Sequence, residues 1–334
     1  MTNTIPPSAT GRSSENKLQK VLVTGGTGFV GRHLQAELAR RGITHFAFGS
    51  HQFDLTHWEN AEAVFSAHRD ATLIVHLASY QAAGEFPAKH TAAQFYRNNL
   101  IHNHTLEAWR QFAPQAKLIA LGASCAYPSS AQAMTEDKIF DGAIHGSVYS
   151  YGATKRMLYT GILAYNDQYK LNGNYLIPPA MYGEDDDFNE ATAHVPSALI
   201  GRFVKAVKMN LPEVEIWGDG TQVRDLADVK DFVNNLLELA PKLERDMVNL
   251  APGRGKTIKE LALTVCEAAD YQGKVVFNAS RYTGAKEKFV DATKLREKYG
   301  IVMNHELAPA IRRTVAWYAE NYDAIKDRRK FADA

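Results

Sequence analysis

Apolar runs without polar alternation recur along the chain, and each is followed by a segment with apolar residues at helical spacing. The first run, KVLVTGG, precedes FVGRHLQAELARRG, in which Gly42 is expected to end a helix. THFAF, TLIVHLA and AKLIALGAS are also followed by helical segments, and NYLIPPAMYG closes the series. Such strands separated by helices are typical of a parallel sheet covered on both faces. The pattern therefore predicts an α/β fold with a doubly wound parallel sheet.

The turn after the first predicted strand carries the glycine spacing of a dinucleotide-binding site. Thr24-Gly25-Gly26-Thr27-Gly28-Phe29-Val30-Gly31 lies between a strand and a helix, as that site requires. The glycines permit a tight turn and close backbone approach, and the helix N-terminus offers N–H groups to a pyrophosphate. We therefore predict a Rossmann fold. The cofactor contacts expected from this turn are Gly25, Thr27, Gly28, Phe29, Val30 and Gly31.

The end of the second predicted strand bears on the choice of cofactor. It reads Phe48-Gly49-Ser50-His51 and lacks the carboxylate that usually binds the ribose hydroxyls of NAD. NADP(H) is therefore favoured and NAD(H) is the alternative, with Ser50 and His51 facing the phosphate and Asp54 nearer the adenine edge. Further expected cofactor contacts are Leu55, Leu77, Ala78, Asn98 and Pro178.

The regular alternation of strands and helices ends near residue 178, where PPAMYGEDDDFNEATAH is rich in proline, glycine and acids. We expect a flexible tail at residues 1–18 and a dinucleotide-binding domain at residues 19–177 plus 225–256. A smaller C-terminal α/β lobe, residues 178–224 plus 257–330, would cover the carboxyl edge of the sheet, where ligands of open α/β sheets bind.

Composition excludes several classes of function. The 334 residues carry a formal charge of +1, so no broad field favours nucleic acid or a membrane surface. The N-terminal segment lacks the apolar core of a signal peptide, and no run reaches about 18 apolar residues, so a cytoplasmic protein is expected. Cys125 and Cys266 give neither a disulfide framework nor a metal spacing, and no metal site is predicted.

Tyr151 and Lys155 lie four residues apart at the start of a predicted helix, so both project from one face. An adjacent ammonium stabilises a phenolate, and we expect it to bring the tyrosine pKa into a useful range. Tyr149 has no such partner. The pair is common by chance, but here it follows a dinucleotide motif and a Ser-Cys pair at a strand end.

At these positions the chain resembles the extended short-chain dehydrogenase/reductases, in which a YxxxK pair is catalytic. Its motifs are most similar to those of the members that epimerise and reduce a GDP-linked 4-keto-6-deoxy sugar. LGASCAYP resembles their LGSSCIYP, and AMYGEDDDFN resembles their LYGPHDNF. The resemblance covers about residues 20 to 300 and continues in HVPSALIGRF, WGDGTQVRD and SRYTGAKEKFVDATKL.

The resemblance implies a role for each matching residue. Tyr151 would give a proton to the C4 oxygen while NADPH delivers hydride to C4, and Lys155 would hold the nicotinamide ribose. Cys125 and His194 match the pair that moves protons at C3 and C5. Taken alone, Cys125 is more often a buried apolar residue and His194 a structural histidine, but the surrounding motifs favour function.

The resemblance also implies substrate contacts and an assembly. The smaller lobe would bind the nucleotide sugar, with a homodimer formed through the helices near residues 90–112 and 150–170. Lys288 is also readily explained as a solvated surface charge. The substrate contacts implied are Gln81, Arg202, Trp217, Arg224 and Lys288.

Three positions depart from the pattern of the resembled enzymes. Ala123 replaces a Ser or Thr, Gln81 replaces a Lys, and Ala180 replaces an Asn. The adjacent Ser124 is only a weak substitute for the missing hydroxyl, because on a continuing strand residues 123 and 125 share a face and Ser124 points away. We infer that the sugar or the reaction differs, although the nucleotide is still expected to be GDP.

Two alternatives to the combined activity remain from the sequence. One is an enzyme that has kept only the reductase or only the epimerase half of the chemistry. The other, from a different class, is a catalytically silent NADP-binding sensor or scaffold. Tyr151 and Lys155 argue against the second alternative, because a sensor needs no proton donor.

Overall fold

The structure is a computed structural model that describes residues 18–129, 134–281 and 286–326. The predicted tail, residues 1–18, lies outside the described residues except for Leu18, which packs against the hydrophobic core. The strands are β1 (Lys20–Thr24), β2 (Thr44–Phe48), β3 (Leu73–His76), β4 (Lys117–Leu121), β5 (Gly173–Ile177), β6 (Ala180–Tyr182), β7 (Glu213–Trp217), β8 (Val223–Asp228), β9 (Met247–Asn249), β10 (Gly255–Thr257), β11 (Lys274–Asn278) and β12 (Glu287–Lys288). The helices are α1 (Phe29–Arg40), α2 (Trp58–Ala67), α3 (Phe86–Lys89), α4 (Thr91–Phe112), α5 (Tyr149–Tyr169), α6 (Val195–Lys208), α7 (Val229–Leu239), α8 (Ile258–Ala268), α9 (Thr293–Tyr299) and α10 (Ala308–Ile325).

A six-stranded parallel sheet forms the centre of the larger lobe, in the order β2-β1-β3-β4-β5-β9. Its strands are apolar at successive positions because both faces are covered. Leu22 and Ile74 pack into the core beneath α2, α4 and α5, whereas Val21 and Val75 pack into the core beneath α1 and α7. The predicted Rossmann doubly wound sheet is confirmed.

The smaller lobe is built from short strands and three helices. β8 pairs with β6, β10 and β12, and β7 pairs with β11. Apolar faces of α6, α8 and α10 enclose a third core around Phe203 and Leu261. The smaller C-terminal α/β lobe is thereby confirmed as part of the fold, whereas the residue boundaries of the two domains stay a prediction. None of the helices in the described part of the chain combines the length and hydropathy needed to span a bilayer.

The segment NYLIPPAMYG forms two strands and not one. β5 ends at Ile177, and β6 begins at Ala180 and pairs with β8 in the sheet of the smaller lobe. Pro178 and Pro179 explain the division, because proline has no N–H to donate to a sheet ladder. The chain therefore passes from one lobe to the other at this dipeptide.

Asn249, at the end of β9, connects three segments next to the carboxyl edge of the sheet. Its side-chain N–H groups donate to the carbonyls of Met134 and Asp291, both at 2.8 Å. Its amide oxygen accepts from the Tyr127 hydroxyl at 2.8 Å, and its backbone N–H donates to Glu136 at 2.9 Å. The side chain is fully buried, so these bonds replace all of its contacts with water.

Replacing Asn249 by Ala should lower the free energy of unfolding by about 3 kcal/mol, because several buried partners lose their hydrogen bonds. Urea unfolding monitored by circular dichroism measures the change. Asn321→Ala is the matched control, since that side chain makes one bond, to Trp317 O within α10, and should change stability by less than about 0.5 kcal/mol. Equal stability of the two variants would contradict the role given to Asn249.

Candidate active site

A cavity of about 1560 Å³ lies along the carboxyl edge of the six-stranded sheet, between the two lobes. β1 and β3 are neighbours there, but the helices that follow them cover opposite faces of the sheet. Ligands of open α/β sheets bind in the crevice that such a reversal creates. The larger lobe contributes the glycine-rich turn and the ends of β2, β3 and β4, and the smaller lobe closes the other side.

The glycine-rich turn is shaped by contacts that exclude side chains. Gly25 has φ +71°, and a Cβ there would lie 2.7 Å from the backbone nitrogen of Ala78. A Cβ at Gly31 would lie 2.4 Å from the carbonyl oxygen of Gly25. No side chain of the described residues caps the N-terminus of α1, so its first N–H groups face the cavity without a side-chain acceptor. This arrangement fits a pyrophosphate.

The loop after β2 forms the end of the cavity expected to hold the adenosine. Ser50 and His51 line it and are exposed, and no carboxylate precedes Asp54. The Asp54 carboxylate accepts from the backbone N–H and the hydroxyl of Thr56, at 2.9 and 2.8 Å. These residues fit a phosphate-bearing ribose better than one whose free hydroxyls need an acidic partner.

Fifteen of the sixteen predicted cofactor residues line this one cavity, and Asn98 is the exception. Asn98 is fully buried on α4. Its amide donates to Tyr80 O at 3.1 Å and accepts from Tyr80 N at 2.8 Å. Through these two bonds Asn98 fixes the backbone that follows β3. The lining members of the set are Gly25, Thr27, Gly28, Phe29, Val30, Gly31, Ser50, His51, Asp54, Leu55, Leu77, Ala78, Tyr151, Lys155 and Pro178.

Tyr151 and Lys155 project from one face of α5 into the cavity. The Lys155 ammonium lies 5.6 Å from the centre of the Tyr151 ring and donates to Leu121 O at 2.9 Å. Burial lowers the pKa of Lys155 to about 8 and raises the pKa of Tyr151 above its ordinary value. The expectation that the tyrosine pKa is brought into a useful range is wrong, because desolvation of the phenolate raises it. Tyr151 is therefore a neutral phenol at neutral pH, which suits a proton donor.

The segment that carries Cys125 is a turn and not a continuing strand. β4 ends at Leu121, and Ser124–Ala126 form one turn of 3-10 helix closed by Ala126 N–H donating to Ala123 O at 3.0 Å. The expectation that strand alternation would turn Ser124 away is therefore wrong, because the chain has already left the sheet. Ala123, Ser124 and Cys125 all line the cavity.

Cys125 and His194 line the cavity from different lobes. Cys125 is half-buried, whereas His194 is exposed and immediately precedes α6. Burial raises the pKa of the Cys125 thiol, and the nearby Lys288 and Lys155 lower it by less. The expected cationic neighbours are thus present, but the thiol remains protonated at neutral pH.

The predicted substrate residues divide into two groups. Gln81, Arg224 and Lys288 line the cavity, and the last two are neighbours across β8 and β12. Arg202 and Trp217 lie outside the cavity lining and stack on each other, with the guanidinium 5.6 Å from the indole centre. Their role in binding a nucleotide stays a prediction. Residues 282–285 of the motif SRYTGAKEKFVDATKL lie outside the described residues.

The cavity also holds polar residues that were not predicted as site residues. Ser79 lines the cavity, and its hydroxyl donates to the side-chain oxygen of Asn98 at 3.1 Å. Asp185 pairs with Arg32 at 2.9 Å, which places an acid of the smaller lobe beside α1. The position of Ser79, just after β3 at the carboxyl edge of the sheet, is a sequence signal from which its place in the cavity could have been predicted. No sequence pattern could predict the pairing of Asp185 with Arg32, because the two residues lie far apart in the sequence.

The fold, the glycine-rich turn and the tyrosine-lysine pair together define an NAD(P)-dependent enzyme of the epimerase/reductase class, with the extended short-chain dehydrogenase/reductase architecture. Residues 21–251 match the model of the NAD dependent epimerase/dehydratase family. The chain belongs to that family.

Individual relatives cover almost the whole chain. GDP-L-fucose synthase of Escherichia coli K12 is 30% identical over 321 residues, covering 92% of this chain and 99% of that protein. A probable GDP-L-fucose synthase 1 of Oryza sativa subsp. japonica is 31% identical, with 92% and 94% covered. The crystal structure of a GDP-L-fucose synthetase from Naegleria fowleri bound to NADP superposes with a TM-score of 0.82 at 25% identity, covering 91% of this chain and 95% of that one.

Gly31→Ala should weaken NADPH binding at least about tenfold, because the added methyl group displaces the turn by meeting Gly25 O. Fluorescence titration with NADPH measures the dissociation constant, and thermal unfolding shows whether the variant is folded. The control is Gly146→Ala, where the new Cβ meets no atom of the described residues within 4 Å. Wild-type affinity in a folded Gly31→Ala protein would show that the close approach is not needed.

Proposed function

We propose that the protein is an NADP(H)-dependent epimerase/reductase that acts on a GDP-linked 4-keto-6-deoxy sugar. The observation that carries the proposal is that Tyr151, Lys155, Cys125 and His194 line one cavity together with the glycine-rich turn. The relatives named GDP-L-fucose synthase support a GDP-linked sugar. The Ser50 and His51 loop and the NADP-bound Naegleria fowleri relative support the cofactor.

Reduction requires a hydride at C4 and a proton at the C4 oxygen. A dinucleotide bound along the glycine-rich turn would supply the hydride. Tyr151 donates the proton, because burial keeps its phenol protonated at neutral pH. Lys155 would hold the nicotinamide ribose, and its ammonium, 5.6 Å from the centre of the Tyr151 ring, would stabilise the phenolate left after the proton has moved.

Epimerisation requires two groups on opposite faces of the sugar ring. The hydrogens at C3 and C5 are acidic because the C4 ketone can form an enolate. His194, which is exposed, takes a proton from one face as a general base. Cys125 returns a proton to the other face, a role that suits a thiol whose pKa burial has raised. The enzyme itself is unchanged once the two groups have exchanged protons with solvent.

A second candidate function is epimerisation with little reduction. It is favoured by Ala123, which lines the cavity where the resembled enzymes carry a hydroxyl that bonds the C4 oxygen. Losing that bond weakens polarisation of the carbonyl during hydride transfer. Gln81 and Ala180 also line the cavity, so all three departures face the space expected for the sugar.

One experiment distinguishes the two candidate functions: incubation of the protein with GDP-4-keto-6-deoxymannose and NADPH in deuterated buffer. The proposed function predicts NADPH oxidation together with deuterium at C3 and C5. Label without oxidation would favour the second candidate, and oxidation without label would leave a reductase only. Neither signal, with other nucleotide-linked 4-keto sugars also inert, would overturn the proposal and favour a cofactor-binding sensor or scaffold.

Cys125→Ser should reduce deuterium incorporation by about two orders of magnitude, because a hydroxyl is a far weaker acid than a thiol. Hydride transfer to an already epimerised substrate should persist. Cys266→Ser is the matched control, because Cys266 lies on α8 outside the cavity lining and should label as the wild type does. Equal labelling by Cys125→Ser and the control would remove Cys125 from the mechanism.

We also propose that the protein is a homodimer formed through α4 and α5. The two helices pack against each other, yet Phe95, Met157 and Leu163 are exposed on them. A second copy would cover these side chains.

Leu163→Arg should convert the dimer into a monomer, because it places a charge in the covered face. Sedimentation velocity measures the assembly. The control is Leu263→Arg, on α8, where an exposed leucine lies on a different surface. A monomeric wild type, or a variant that stays dimeric, would contradict this assembly.

A further inference from the structure

A main-chain contact joins the loop after β3 to the segment that leads into α6. The backbone N–H of Ala83 donates to the carbonyl oxygen of Thr192 at 2.9 Å. Beside it, Gly84 lies so close to the opposite chain that a Cβ there would be 2.0 Å from the carbonyl oxygen of Ala191. His194 follows two residues after Thr192. Ala83, Gly84 and His194 line the cavity, so this contact between the lobes belongs to the wall of the site.

The loop that carries Gly84 is held by the larger lobe. The backbone N–H of Tyr80 donates to the Asn98 side chain at 2.8 Å, and its carbonyl oxygen accepts from that side chain at 3.1 Å. Ala82 and Phe86 are buried, and the Phe86 ring packs edge-on against the Tyr80 ring, with 5.4 Å between the ring centres. Gly84 is therefore presented to the smaller lobe from a fixed position.

The segment on the other side of the contact is held by its own hydrogen bonds. The Thr192 hydroxyl donates to the Asp187 carboxylate at 2.6 Å, and the Thr192 backbone N–H donates to Asn189 O at 3.0 Å. Phe188 anchors the segment in the core of the smaller lobe. Because these bonds make the segment a unit, a displacement of Thr192 displaces His194 as well.

We propose that Gly84 is a positioning residue for His194: its lack of a side chain lets the two lobes meet and fixes the point at which the imidazole enters the cavity. The inference rests on the proposed function, because it concerns the general base of the epimerisation. Gln81 lies on the same loop and lines the same cavity. The contact thus sets the separation between a residue expected at the sugar and the base on the opposite lobe.

Proton transfer from a carbon atom is sensitive to this placement. A general base must come within hydrogen-bond reach of the proton that it removes, and a misplacement of about 1 Å can cost about a hundredfold in rate. A Cβ does not approach another heavy atom within 3.0 Å, whereas at Gly84 it would lie 2.0 Å from a main-chain oxygen. Gly84→Ala therefore moves one backbone away from the other by about 1 Å. Tyr151, on α5, takes no part in this contact.

Gly84→Ala tests the proposal in the whole protein with GDP-4-keto-6-deoxymannose and NADPH in deuterated buffer. At saturating substrate, deuterium incorporation at C3 and C5 should slow at least about tenfold. The dissociation constant of NADPH, and hydride transfer to an already epimerised substrate, should stay within about twofold of the wild type.

The matched control is Gly42→Ala. Gly42 has φ +66°, close to the +62° of Gly84, but a Cβ there meets no atom of the described residues within 4 Å. The control therefore carries the same backbone strain without the contact and should label as the wild type does. Equal labelling by the two variants would overturn the proposal. So would an equal loss of labelling and of hydride transfer in Gly84→Ala, because that result marks a general structural loss.

A second variant tests the same segment from its other side if Gly84→Ala does not fold. Thr192→Val removes the hydroxyl that donates to Asp187 and should slow labelling in the same way, again without changing hydride transfer. Thr192→Ser keeps the hydroxyl and should retain most of the labelling rate. A Thr192→Val protein that labels as fast as the wild type would contradict the proposal.

A measurement without substrate distinguishes failure of this inference from failure of the proposed function. If the wild type neither oxidises NADPH nor incorporates deuterium, NMR of the histidine ring protons still reports the placement of His194. Its resonance, identified by its loss in His194→Gln, should shift in Gly84→Ala and not in Gly42→Ala. An unshifted resonance overturns the inference about Gly84 independently of any activity.

Discussion

The site depends on the close approach of main chain to main chain at the carboxyl edge of the sheet. Gly25 lies against the backbone at Ala78, and Gly31 lies against Gly25, with no space for a Cβ at either glycine. This approach brings the N-terminus of α1 beside the end of β3 and opens the crevice between them. Every other group of the site is placed relative to that crevice: α5 brings Tyr151 and Lys155 from one side, and the smaller lobe brings His194 and Lys288 from the other.

Burial, more than pairing of charges, sets the protonation of the reacting groups. The pKa of Tyr151 and that of Cys125 are raised because their charged forms lose hydration, and the pKa of Lys155 is lowered to about 8 for the same reason. The Tyr151 phenol and the Cys125 thiol are thus neutral at neutral pH, whereas the nearby Lys155 ammonium stays charged below a pH of about 8. A cavity of this kind suits a reaction in which negative charge develops on an oxygen and is then removed by proton transfer.

Most of the sheet and of the cofactor turn could be predicted, because both are local patterns. Buried parallel strands are continuous apolar runs, and the glycine spacing is contained within eight residues. Three features could not be predicted. The end of β4 at Leu121 depends on where neighbouring strands stop, the raised pKa of Tyr151 depends on burial by distant segments, and the Ser79 bond to Asn98 joins the end of β3 to α4. Each of them is a property of the packed chain and not of a sequence window.

Lys288, on the two-residue strand β12 beside Arg224 of β8, brings a cation of the smaller lobe near the Cys125 thiol of the larger one. Lys288 lowers the pKa of Cys125 through its charge. An anion that neutralises Lys288 therefore makes the thiol a weaker acid, and thermodynamic reciprocity requires that loss of the thiol proton weaken anion binding by the same factor. Binding of an anion at Lys288 and the acidity of the Cys125 thiol are in this way a single linked equilibrium, transmitted by electrostatics without any movement of the chain.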